Sequence, residues 1–192
     1  MDQVLERGHN SATEREQGLR PPMPAWALIG LGVVISAVWA AAMWAATHLH
    51  ADETLCVAAR FVHVATLIIG FGSIITIDWL AILWLLGRRK LGDLLQAVHA
   101  VHVLVWLGLG GLVLSGLVLR PDLSSVLVQI KLGMVFLVTL NGLFAYSVGQ
   151  RLGRCDDRRV PRRLLVQSGT TAAISQAGWW TATFLGFINS HT

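Results

Sequence analysis

Charged residues are scarce in this chain: they fill 14% of its 192 positions, where a soluble domain carries about a quarter. A domain kept in solution by its own polar surface is thereby excluded. Hydrophobic residues reach 54% and the mean hydropathy is +0.61, so the solvent for most of this surface is lipid. Cysteine is nearly absent, with two residues, Cys56 and Cys155. They fall on opposite sides of the topology derived below, which excludes a structural bridge between them. The sequence also lacks a GxxxxGK[ST] phosphate loop, a GxSxG nucleophile elbow, HExxH and CxxC. The glycines after Leu107 are no phosphate cradle, because no strand precedes them. The net charge of +4 does not point to nucleic acid, since the basic residues cluster beside apolar segments instead of lining one face.

What the sequence does have is long apolar runs. A hydrocarbon core of about 30 Å takes about 20 helical residues, and five segments are long enough: Ala25 to Thr47, Val57 to Leu86, Leu94 to Leu119, Val126 to Val148 and Leu164 to Ile188. The expected fold is all-α, a single transmembrane bundle of five helices over 25–188. A disordered tail (1–24) precedes it and a short external tail (189–192) follows. The polar stretch before the first span is unlike the short basic start of a cleavable signal, so no removal of a signal peptide is expected.

Basic residues give the orientation. Arg7, Arg15 and Arg20 lie in the first tail, Arg88, Arg89 and Lys90 follow the second span, and six arginines lie in "GQRLGRCDDRRVPRR". The alternate side offers Arg60 and Arg120, with Lys131 inside the fourth span. The positive-inside rule places the N-terminus in the cytoplasm and the C-terminus outside, in a bacterial plasma (inner) membrane.

At about 1.5 Å per residue, His63 and Lys131 share an outer level, about 8 to 9 Å below the ends of their spans. Asp78, His99, His102 and Asn141 share an inner one. In a membrane such residues are functional candidates by default. Each also has a plainer role: Lys131 snorkelling to the surface, His99 sitting at an interface, Asp78 pairing with Arg88 or a histidine. Trp106 aligns with His99 on the third span and is too deep for an interfacial belt. The small residues read as packing, with Gly111 and Ser115 forming a small-xxx-small pair and Ser168, Thr171, Ser175 and Thr183 a stripe on the last span.

Imidazoles on spanning helices suit haem ligation, copper handling or proton transfer. His63 and His102 lie in opposite thirds and cannot be the two axial ligands of one haem, which leaves a single-histidine haem or another partner at the outer level. The HxxH at His99 and His102 offers two rings to one metal, although i and i+3 spacing turns one aside. His48, His50 and His63 could collect copper at the outer face. Asp78 and Asn141 are candidates for a proton relay or polar partners.

The stretches "RFVHVATLIIGFGSI", "HAVHVLVWLGLGGLVLSGLVL" and "VQIKLGMVFLVTLNGLFAY" resemble the bacterial copper-resistance D-type membrane domains and the J-type protoporphyrinogen IX oxidases. The resemblance covers about residues 59 to 148. It implies a haem or metal site with the family's histidine at His63 and its lysine at Lys131, both as catalytic and cofactor-binding residues. Where the J-type oxidases carry an aromatic and arginine-rich stretch after the histidine, this chain has "IIGFGSIITIDW".

The expectation is therefore a small membrane redox protein, a haem-dependent oxidoreductase, binding haem b through His63. Lys131 stands near the propionates, the inner group of Asp78, His99 and His102 passes protons or holds a second cofactor, and Trp106 is a further cofactor-binding candidate. A copper-handling protein and a structural or assembly subunit are the alternatives. The expected partners are the lipid bilayer, a membrane redox partner or quinone, and further copies of this chain; nucleic acid is not among them.

Overall fold

The structure, a computed structural model, describes residues 23–49, 51–155 and 160–189. Most of the tail expected over 1–24, together with His50 and residues 190–192, lies outside them. The described residues form five helices and no strand: α1 (Ala25–His48), α2 (Glu53–Leu85), α3 (Leu91–Val118), α4 (Val126–Leu152) and α5 (Arg162–Asn189). Four of these, α1 to α4, are long and apolar enough to cross a membrane. At 28 residues α5 is as long as α3, but its Ser, Thr and Gln residues keep it outside that group.

The helices run beyond the apolar segments because local chemistry caps them outside those segments. Asp52 accepts the amide of Leu55 at 2.8 Å and starts α2 before its first apolar residue. Gly87, at φ +71, ends the same helix. The amide of Gly87 reaches the Trp84 carbonyl at 2.8 Å and that of Arg88 reaches Leu83 at 2.9 Å, a paired closure that needs a left-handed residue. In the α3–α4 loop, the hydroxyl and amide of Ser124 donate to Asp122 at 2.7 and 3.0 Å and hold its carboxyl below the usual carboxylate range.

Packing is tightest within two antiparallel pairs, α2 with α3 and α4 with α5, and α2 also touches α5. All four meet in one apolar cluster of Leu109, Leu112, Val138 and Trp179, flanked by Phe71, Ile74 and Trp106. α1 lies along α4 and α3, with Trp39 against Phe136 at 5.5 Å between centroids. The distribution is inverted relative to a water-soluble bundle: Phe61 is 77% exposed, while Asn141 is 9% and Ser147 2% exposed. Lipid accepts the large apolar side chains, and small or polar ones occupy the seams where backbones approach.

The sharpest such approach joins α2 to α3. Gly70 faces Gly108, where a Cβ on Gly70 would stand 3.3 Å from the Gly108 Cα, and Gly111 lies against Thr66. Only residues without a Cβ let the two backbones come this near. One bundle end carries the exposed Arg88, Arg89 and Lys90 and the α4–α5 connection; it is called the arginine-rich end below.

Candidate functional site

The α2–α3 contact continues away from the arginine-rich end and sets the position of His63. Two turns from Gly70, the His63 ring lies over Gly116, where a Cβ would stand 3.6 Å from Cε1. Its Nδ1 is 2.9 Å from the Ser115 hydroxyl. That hydroxyl has one proton, and the carbonyls of Gly111 and Leu112 on its own helix are both within its reach. With that proton given to a carbonyl, Ser115 accepts, Nδ1 carries the hydrogen, and Nε2 keeps its lone pair. Ser115 is both the small residue of the seam and the side chain that meets Nδ1 of His63.

Lys131 on α4 is half-buried. The helices α2 and α4, which carry His63 and Lys131, are not among the closely packed helix pairs. Thr183 on α5 stands near the level of Lys131: its hydroxyl oxygen is buried and has no hydrogen-bond partner among the described residues. The local scale comes from Val138, which packs on Gly178. Lys131 and Thr183 lie seven and five residues from this contact, about 10 and 7 Å in the same direction.

The residues nearer the arginine-rich end do not converge. His102 accepts a hydrogen bond from the Trp106 indole at 2.9 Å through Nε2, which leaves its hydrogen on Nδ1. Its ring also faces Tyr146 of α4, with centroids 5.3 Å apart. His99 is exposed. Asn141 donates to the Thr171 carbonyl at 2.8 Å and ties α4 to α5. Asp78 does not pair with Arg88 or a histidine: its Oδ2 accepts the Gln176 amide at 2.6 Å. His102 is thirteen residues from Ser115 on α3, about 20 Å along the axis, so His63 and His102 cannot share one ion.

Among the described residues, no three His, Cys, Asp or Glu side chains gather as a metal site. His48 is exposed, with Nδ1 2.9 Å from both the Thr47 hydroxyl and the Trp44 carbonyl and its ring packed on Trp44.

Gln176 and Tyr146 are the contributors to these contacts that the sequence did not single out. A glutamine inside a long apolar bundle is a costly polar group, and that cost was the available signal. The Tyr146 contact had no such signal, because it depends on how α4 is turned toward α3.

Comparison with protein-family models, with curated protein sequences and with solved structures gives no match. Function is therefore read from the side chains themselves.

Proposed function

We propose that this is a multi-pass protein of a bacterial plasma membrane that binds b-type haem through Nε2 of His63 and serves electron transfer. The carrying observation is the 2.9 Å contact between His63 Nδ1 and the Ser115 hydroxyl, whose own proton has helix carbonyls to go to; Nδ1 as donor leaves the lone pair on Nε2. A metal-ligating histidine commonly donates its second N–H to a neighbour in this way. The donor set fits haem: one imidazole whose Nδ1 meets a hydroxyl, a glycine beneath the ring, and an ammonium at the same level suited to a carboxylate. Bound haem iron would supply one-electron redox chemistry. Ser115 orients the ligand, Gly116 lets the ring pack against α3, and Lys131 attracts an acidic group. Copper collection by His48, His50 and His63 is less favoured, because His48 Nδ1 is engaged by the Thr47 hydroxyl and the Trp44 carbonyl; His50 lies outside the described residues.

The purified protein is expected to carry a b-type absorption spectrum that changes on reduction. Lys131→Met should lower the haem content or shift the spectrum while the protein still inserts; a lysine that merely snorkels predicts no change. If neither haem nor copper accompanies the purified protein, and Lys131→Met behaves like it, a structural or assembly subunit replaces this reading.

Orientation follows the basic residues, with the arginine-rich end in the cytoplasm. An impermeant thiol reagent applied to intact cells should label Cys56 and spare Cys155. The reverse pattern would invert the bundle.

A further inference from the structure

Asp78 stands within the apolar length of α2, seven residues before its end at Leu85, about 10 Å along the axis. Its side-chain partner is the neutral amide of Gln176. The helices packed against α2 supply no counter-charge there. On α3, His99 is exposed and His102 is bound to Trp106; on α5, Arg162 and Arg163 lie thirteen or more residues toward the arginine-rich end, and Arg88 lies beyond the end of α2. An ion at Asp78 would be unpaired in a medium that penalises it, and a proton removes that penalty.

A second observation extends from Gln176 along α5. Three buried polar atoms have no hydrogen-bond partner among the described residues: Ser168 Oγ, Trp179 Nε1 and Thr183 Oγ1. Trp179 is only 3% exposed. At about 100° per residue these three and Gln176 fall within about 80° of one another on α5. Serine and threonine in helices can return their proton to the preceding turn, as Thr170 and Thr171 do, so the open hydroxyls of Ser168 and Thr183 depart from that habit. Buried groups of this kind are where internal water binds, because a bilayer offers no other acceptor.

We infer that α5 lines a hydrated proton path through the bundle, with Asp78 as the station at which the proton rests. The path begins at Ser168 near the arginine-rich end, passes Gln176 and Trp179, and reaches Thr183 near the level of His63. At the station a proton passes from water to the carboxylate and leaves to the next water; no electron moves. This route does not depend on haem at His63.

The test uses the full chain in phosphatidylcholine and phosphatidylglycerol vesicles containing a pH-sensitive dye, with a potassium gradient and valinomycin as the driving force. Wild type should acidify or alkalinise the lumen several times faster than protein-free vesicles allow. Asp78→Asn keeps an acceptor for Gln176 and should abolish that flux; Thr183→Val and Trp179→Phe should slow it. On wild type alone, dicyclohexylcarbodiimide, which attacks protonated carboxyls in apolar surroundings, should block the flux and mark Asp78 in the peptide mass spectrum. Flux no faster than through protein-free vesicles overturns the path. So does undiminished conduction by Asp78→Asn, or carbodiimide treatment that leaves Asp78 unmarked.

Discussion

Gly108→Ala is expected to lower the thermal unfolding midpoint of the purified protein sharply, while Gly110→Ala, two residues away, leaves it unchanged or slightly raised. A Cβ on Gly108 would overlap the Gly70 backbone and stand 2.9 Å from the Thr66 carbonyl oxygen, whereas one on Gly110 meets nothing within 4 Å. The obstructing atoms at Gly108 are main chain, so no rotamer change relieves them and α2 must move away from α3. Overpacking of a well-packed core costs about 1 to 3 kcal/mol, and this site has little means of relaxing. Displacement of α2 would also draw His63 from Ser115, so any bound cofactor should be lost along with stability. At Gly111 the obstruction is the Thr66 side chain instead, and Gly111→Ala should be partly rescued by Thr66→Ser. Circular dichroism melts in detergent measure all three; a Gly108→Ala protein that melts with wild type would remove the close contact as the basis of the α2–α3 pair.

That contact was partly legible in the sequence. The spacing of Gly111 and Ser115 marks a seam on α3, because small residues four apart share a helix face. It does not say that Thr66 and His63 fill the seam from α2, since spacing within one helix leaves the rotation of its neighbour undetermined. Depth is read from residue counts alone: counting from the ends places His63 and Lys131 at one level, while α2 and α4 are not among the closely packed pairs. Counting also placed Asp78, His99, His102 and Asn141 at one level, yet their partners separate them. Asp78 turns to Gln176 on α5, His102 to Trp106 on its own helix, and Asn141 to Thr171. A shared depth is necessary for a site and far from sufficient. The Trp106 contact was available in principle, being an i, i+4 pair on one helix. The earlier start of α2 was available too, in the Asp52 and Glu53 that precede its apolar run.

Two substitutions around the histidine separate a ligand from a core residue. His63→Ala should abolish haem binding in the purified protein, since it removes the only imidazole at that level of α2, and the apoprotein should still insert and fold. Ser115→Ala is the sharper test. It takes away the side-chain oxygen 2.9 Å from Nδ1 while leaving the small residue that the helix seam requires. An imidazole in a packing role would lose one hydrogen bond, and the melting midpoint would fall slightly. An imidazole that ligates iron would lose the partner that orients its ring, and loss of such a supporting partner typically weakens metal affinity by about 10- to 100-fold. Haem titration of Ser115→Ala should therefore show that weakening. Equal haem affinity in wild type and Ser115→Ala would mean that Nδ1 needs no partner, and with it would go the argument that Ser115 prepares Nε2 for a ligand.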